Sequence, residues 1–454
     1  MSQFDLQSLG ILSSALKRLD EGFSDLPPIS ANPVDDIELE RTLQQVAERL
    51  QDNYPYFHPL YAGQMLKPPH PIARLAYTLA LWLNPNNHAL DGGRASSRME
   101  KEAISEIAQL FGWTTALGHL CSGGTMANLE ALWIAGELTA GAKIVASQQA
   151  HYTHRRISGV LGLRYASVPC DSRGRMSVES LEQLLSAGDV GTVVATLGST
   201  ATGSVDPLQK ILQLRERYPF RLHADAAYGG YFCLLDDLAP ETAEAFEVLS
   251  EVDSIVLDPH KHGLQPYGCG CVVFRDASVG SLYQHDSPYT YFTSEELHLG
   301  EISLECSRPG AAAVALWATQ KLLPLVRGGT FAEALSRGRE AASGFHQRLR
   351  GDERFLVPFE PELDIVVWAV RSATVTRASE LARNIFEECA RRQLHLALAE
   401  CPCDFFDLNS CNMLRDRSTI LCLRSVLMKP DHLDWLDRIW SLLIEATAVV
   451  LRAT

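Results

Sequence analysis

From about residue 114 onward, short apolar runs alternate with longer segments in which apolar positions recur every three or four residues. The short runs are 114–120 (TTALGHL), 143–147 (KIVAS), 165–169 (YASVP), 192–198 (TVVATLG), 221–225 (RLHAD), 254–258 (SIVLD) and 271–274 (CVVF). Between them lie NLEALWIAGELTA, VESLEQLLSA and LQKILQLRERY, whose spacing is helical. Strands separated by helical patterns predict crossover connections, hence an α/β fold with a mostly parallel central sheet flanked by helices. Past residue 309 an apolar helix (GAAAVALWATQKLLPLV) leads into an amphipathic segment at 330–350. A smaller α+β unit follows, with strands at 364–370 and 419–426, a helix at 378–393 and a closing helix at 431–451.

Upstream of the alternating region the pattern is different. Residues 1–37 read as an arm, with the proline-containing stretch 25–36 as an extended connector. Helical spacing covers 35–51, and 72–84 (IARLAYTLALWLN) is a strongly apolar helix suited to a domain or subunit contact. Between them, 54–71 is an irregular strap rich in aromatic residues and proline, in which Phe57, His58 and Tyr61 are candidates for lining a pocket. A turn-rich loop at 84–100 leads into a helix beginning near Met99. Three parts are therefore expected: an N-terminal arm and helices (1–95), a large α/β domain (96–328) and a small α+β domain (329–454), with Arg327-Gly328-Gly329 as the hinge.

Composition narrows the function classes. At 454 residues, 46% hydrophobic and 21% charged, the chain reads as an ordinary globular protein with a full-sized core. Its net charge of −15 argues against nucleic acid or an anionic membrane as partner. The eleven cysteines are odd in number and many lie in apolar runs, which favours reduced thiols in a cytoplasmic protein. Cys401-Pro-Cys403 with Cys411 lacks a C-x-x-C or H-x-x-x-H companion, so no metal is assigned. No run approaches the roughly 20 apolar residues of a membrane span. The charged first 25 residues do not read as a secretion signal.

The candidate chemistry sits where apolar runs break. RLHAD ends on Asp225, and SIVLD is followed three residues later by Lys261. Open α/β sheets present functional groups at such strand ends. Ser122-Gly123-Gly124-Thr125 opens a helix whose free N–H groups can hold a phosphate. An amine, a carboxylate and a phosphate cradle are what pyridoxal phosphate (PLP) needs: the amine attaches to its aldehyde, and the carboxylate keeps its ring nitrogen protonated. Neither a G-x-x-x-x-G-K-[ST] loop nor a G-x-G-x-x-G between strand and helix is present. His151, after the run KIVAS, is placed to lay a flat ring on the cofactor, and Thr200 in the turn GSTATG to hydrogen-bond it.

Five stretches carry a family resemblance: S-G-G-T-x-A-N (122–128), A-H-Y-T (150–153), H-A-D-A-A-Y-G-G-Y (223–231), D-P-H-K-H-G (258–263) and C-S-R (306–308). In this order they resemble the group II PLP-dependent amino-acid decarboxylases, and the Asp225 and Lys261 stretches are most similar to bacterial tyrosine decarboxylases. The resemblance implies a fold-type-I PLP enzyme and an obligate homodimer acting on a small amino-acid substrate. It implies Lys261 as the cofactor lysine, Asp225 as partner of the ring nitrogen and His151 as the stacked ring. Ser122, Gly123, Gly124 and Thr125 would hold phosphate, with Thr200, Ala227 and His260 also against the cofactor. Tyr267 would return a proton, as would a tyrosine of the loop 279–300, where Tyr283, Tyr289 and Tyr291 compete and Tyr289 is the one assigned. Arg424 would meet the substrate α-carboxylate, with Phe57 and Tyr61 as pocket walls. Lys429 stands where the family usually has asparagine. The activity expected is decarboxylation of an L-amino acid, aromatic and tyrosine-like first. The alternatives are an acidic substrate, an aldehyde synthase, or a catalytically silent scaffold.

Overall fold

Seven of the apolar runs pair into one sheet. In the computed structural model, which describes residues 4, 6–28, 35–284 and 303–453, the strands are β1 (Leu117–Cys121), β2 (Lys143–Ser147), β3 (Tyr165–Val168), β4 (Val190–Thr196), β5 (Arg221–Asp225), β6 (Ser254–Leu257) and β7 (Gly270–Phe274). Their order is β1-β7-β6-β5-β4-β2-β3. β7 alone runs opposite to the other six strands. Every residue of β4, β6 and β7 is buried, because helices cover both faces. Alternate residues divide accordingly: Val193, Ala195, Ile255 and Leu257 join one core with Ile107 of the helix Arg94–Leu110. Val256 and Val272 join another with Ala127, Ala131 and Ile134 of the helix Gly124–Leu138. Each fully buried Val, Ile or Leu adds about 1.5–3 kcal/mol, so these two layers fix the sheet's register.

A second, four-stranded sheet comprises β8 (Phe355–Leu356), β9 (Ile365–Val370), β10 (Ala397–Pro402) and β11 (Thr419–Val426), all antiparallel in the order β10-β11-β9-β8. The helices Thr330–Arg350, Val375–Arg391 and Leu436–Arg452 cover it through Phe345, Ile385 and Ile439, around the wholly buried Trp368.

Two upstream readings need correction. The arm 1–37 contains a helix, Ser8–Glu21. The helix expected from Met99 begins at Arg94. Its first turn is held by side chains from elsewhere: Ser96 Oγ bonds Asn87 Oδ1 (2.5 Å), and Asn87 Nδ2 donates to Glu100 (2.6 Å). Glu100, 1% exposed, also accepts from Leu120 N (2.9 Å) and from Arg308 (2.7 Å) of the C-S-R segment. One buried carboxylate thus pins the end of β1, immediately before Ser122.

The strap 54–71 docks on the second sheet. Val426 N donates to Ala62 O (2.7 Å), Ala62 N to His395 O (2.9 Å) and Ser425 Oγ to Ala62 O (3.0 Å). Lys429, only 4% exposed, donates to Tyr61 O (2.6 Å) and lies 5.2 Å from the centre of the Tyr61 ring. Burial, with the charge of Lys67 behind it, lowers the Lys429 ammonium to about 7. Its native pKa is below the unfolded value, so between pH 7 and 10.5 the unfolded chain binds the extra proton. The cost of burying this ammonium is full below pH 7 and fades toward pH 10.5. Lys429→Met is accordingly expected to raise Tm relative to the parent at pH 7, with the advantage shrinking by about 2 °C at pH 9. Thermal unfolding at the two pH values checks this, and a pH-independent difference would refute it.

Candidate active site

The C-terminal ends of the parallel strands open into a cavity of about 590 Å³, of a size that suits a cofactor-bound small molecule. At its β1 side the chain turns through Ser122 and Gly123 into the helix Gly124–Leu138. Gly123 has φ +152°, in the region that favours glycine. Gly270 of β7 backs this turn so closely that a Cβ there would lie 2.5 Å from Gly123 Cα. A Cβ on Gly124 would lie 2.6 Å from Asp258 Oδ2. The glycines thus let this turn pack against β7 and Asp258, and Ser122 to Met126 line the cavity at a helix N-terminus, a place suited to an anion. Ser122 gives both its N–H and its hydroxyl to Glu305 (2.9 and 2.5 Å), so a phosphate here would have to displace that carboxylate to use them.

Asp225 ends β5 beside Thr196 of β4 and borders the same cavity. Its Oδ2 lies 2.7 Å from His154 Nε2, and its Oδ1 accepts from Ala227 N at 3.2 Å. Burial acts to raise the Asp225 pKa, but the hydrogen bond and charge of His154, with Lys261 and His223 beyond, hold it well below the usual carboxylate range. His223, one strand turn earlier, is locked between Asn128 Oδ1 (2.9 Å) and Ser254 Oγ (2.8 Å), and burial lowers its pKa to about 3. His151 leads into the helix Thr153–Val160 with Nδ1 2.6 Å from Thr153 Oγ1. Burial lowers its pKa too, outweighing the pull of Asp225, so it presents a neutral flat ring.

Lys261 follows β6 in a tight turn, its N–H on Asp258 O (2.9 Å) and its Nζ 3.0 Å from Asp258 Oδ2. His260 Nδ1 is anchored by Cys269 O (2.8 Å), and the His260 ring lies 4.8 Å from that of Tyr267. The Tyr267 hydroxyl donates to Met65 O (3.1 Å) in the strap. Burial, then Asp258 and Tyr56, raise the phenol to about 12, so it keeps its proton across the physiological range.

Eleven of the expected residues line this one cavity: Ser122, Gly123, Gly124, Thr125, His151, Thr200, Asp225, Ala227, His260, Lys261 and Tyr267. Others lie elsewhere. Phe57 borders a neighbouring hollow of about 840 Å³, and Tyr61 a third beside Tyr54 and His395. Arg424 is buried with every donor group engaged, on Thr200 O (2.7 Å), Ala201 O (3.1 Å), Gly63 O (3.1 Å) and Gln64 Oε1 (3.3 Å). Tyr283 packs its ring 5.1 Å from Trp133, away from the cavity. Tyr289 and Tyr291, like most of the expected loop 279–300, lie outside the described residues. The sequence reading had not singled out Asp258, Tyr228, Asn128 or His154. Asp258, Asn128 and Tyr228 fall within the D-P-H-K, S-G-G-T-x-A-N and H-A-D-A-A-Y stretches, whereas His154 lies one residue past A-H-Y-T and shows its partner only in space.

These residues fit PLP: a glycine turn at a helix N-terminus, a buried carboxylate and a lysine all line the same cavity. Comparison with known proteins gives the same direction. The pyridoxal-dependent decarboxylase conserved domain matches residues 125–371. A probable L-tyrosine/L-aspartate decarboxylase of Methanothermobacter thermautotrophicus is 33% identical over 319 residues, spanning 67% of this chain and 82% of that protein. The L-tyrosine decarboxylase of Enterococcus faecium is 28% identical over 456 residues, spanning 76% of this chain and 75% of that one. In fold, the chain is similar to the crystal structure of Oryza sativa TDC with PLP and tryptamine, with a TM-score of 0.78 at 18% identity over 97% of this chain and 96% of that one.

Proposed function

We propose, for a chain that belongs to the pyridoxal-dependent decarboxylase family and is a PLP-dependent amino-acid decarboxylase, that the substrate is an aromatic L-amino acid, tyrosine first. The observation that carries the aromatic reading is Tyr267, which borders both the cavity and the adjoining hollow walled by Tyr56, Phe57, His58 and Trp435. Such a wall favours a ring over a small charged side chain. Two cations, Lys67 and Arg74, border the same hollow and favour an acidic side chain as the second reading. The relatives divide the same way, the archaeal one being named for both tyrosine and aspartate.

When bound, the cofactor supplies a cationic ring that accepts the electron pair of the bond broken at the substrate α-carbon. The protein's residues do the rest. Lys261 would carry the cofactor through its amine, and the Ser122 to Thr125 turn would hold its phosphate, with Thr200, Ala227 and His260 lining the same space. Asp225 would supply the anion that keeps a ring nitrogen protonated, and His151 a neutral flat ring beside it. Tyr267, always protonated at neutral pH, returns the proton to the α-carbon, alone or with Tyr289. The product is then the amine, which assays for amine, aldehyde and peroxide distinguish from the aldehyde-synthase outcome. The substrate is decided by kcat/KM across a panel of amino acids. Values for aspartate or glutamate about 10²-fold above those for tyrosine, phenylalanine and tryptophan would sink the aromatic reading and leave the decarboxylase standing.

The working unit is a homodimer. The helix Asp36–Leu50 buries none of its residues on its own chain and displays Ile37, Leu39, Leu43 and Val46, while Leu81, Trp82 and Leu83 are more than half exposed. Apolar surface of this extent needs a cover, and a second copy supplies it. Light scattering at micromolar concentration should give twice the 50.1 kDa chain mass, and a monomer would refute it. The eleven free cysteines suit the reducing cytoplasm.

A further inference from the structure

The wall of the cavity holds a histidine that does not itself border the cavity. His154 sits in the first turn of the helix Thr153–Val160, wholly buried, with Nε2 2.7 Å from Asp225 Oδ2. Its other ring nitrogen, Nδ1, has no hydrogen-bond partner among the described residues. A carboxylate only accepts, so Nε2 carries the proton and donates it to Asp225. Among the described residues the Asp225 carboxylate otherwise receives only the longer bond from Ala227 N at 3.2 Å. Charge-assisted bonds of this length are the stronger kind, and they fix the plane of the group that accepts them.

Two consequences follow for Asp225. A carboxylate buried at a strand end drifts toward its neutral acid unless donors hold it, and His154 is first among the groups that oppose burial here. A neutral acid has no charge with which to keep a ring nitrogen protonated. Asp225 would also be free to turn about its side-chain bond, since Ala227 N grips only Oδ1.

We propose that His154 is a positioning residue for the decarboxylation, clamping Asp225 as an oriented anion so that the two side chains serve the cofactor's ring nitrogen as one unit. This rests on the reading of Asp225 as that nitrogen's partner. His154 touches neither cofactor nor substrate; it acts through Asp225.

The experiment loads the full-length protein with PLP labelled with ¹⁵N in the ring and reads the ring-nitrogen chemical shift, which separates the protonated from the bare nitrogen. Four proteins are compared: parent, Asp225→Asn, His154→Leu and His154→Gln. The parent should read as protonated and Asp225→Asn as bare. His154→Leu, which removes the donor, should move most of the way to the Asp225→Asn position, whereas His154→Gln, whose amide N–H donates again, should stay near the parent. In turnover, His154→Leu should lose about tenfold in kcat with little change in KM. His154→Met gives the same comparison if the leucine variant does not fold. A parent-like shift in His154→Leu or His154→Met, with Asp225→Asn displaced, would overturn the clamp and leave the Asp225 reading intact. Equal displacement of the leucine and glutamine variants would overturn it too, because the donor would then be irrelevant. A parent-like shift in Asp225→Asn would remove the Asp225 reading itself, and the clamp with it.

Discussion

Lys261→Ala is expected to lose at least ~10³-fold in kcat, about 4 kcal/mol of barrier. Borohydride reduction of the parent followed by peptide mapping should place the pyridoxyl group on Lys261, and the variant should take up no label. The expectation rests on where the amines of this chain stand. Lys261 Nζ opens onto the cavity and is held 3.0 Å from Asp258 Oδ2 by a turn that also hydrogen-bonds its backbone. Lys143 and Lys210 are paired outside it, with Asp189 (2.8 Å) and Glu241 (3.4 Å). The serious rivals are Lys67 and Lys429, because burial lowers their ammonium groups to about 8 and about 7 and leaves more free amine at neutral pH. Neither lines the cavity that carries the cradle and Asp225. Label on either would take the cofactor away from that cavity and overturn the site.

The large sheet was legible because its strands are short, apolar and mostly separated by helical spacing; six of the seven both begin and end within two residues of the pattern. The small sheet was only half legible. β10 reads ALAECP, in which Glu400 and Pro402 argue against a strand; it survives as an edge strand, where a proline need not donate. The two-residue β8 exists only because Phe355 and Leu356 pair with β9. At Arg94 the small polar residues RASS look like loop, and the helix there depends on Asn87 and Glu100. The site divides in the same way. Cradle, lysine and acid announce themselves in contiguous stretches at strand ends. His154 does not, since its meaning comes from a carboxylate 71 residues away. Arg424 shows the reverse case. The family resemblance implied Arg424 as a substrate contact, and what only the fold adds is that its guanidinium ties the strap at Gly63 to the Thr200 turn.

Asp225→Asn is the second large effect expected, a fall of at least ~10² in kcat, about 2.7 kcal/mol, with cofactor still bound. The substitution is nearly isosteric, and the amide oxygen still accepts from His154 Nε2, now 2.7 Å from Oδ2. The buried histidine is therefore not orphaned and the fold should persist. What disappears is the negative charge. His154, Lys261 and His223 together hold that charge on Asp225 against burial, which is a large electrostatic effort for a residue whose role were only packing. Cofactor retention should depend far less on it, because the phosphate cradle and Lys261 sit on other strand ends and do not pass through Asp225. The diagnostic result is thus a split: an absorbance spectrum showing bound cofactor at near-parental occupancy, KM within a few-fold of the parent and kcat down by two orders of magnitude or more. Loss of cofactor with proportionate loss of activity would make Asp225 a binding residue instead. Near-normal kcat in the loaded variant would show that the ring nitrogen's charge does not limit the reaction, and Asp225 would then be a structural end to β5.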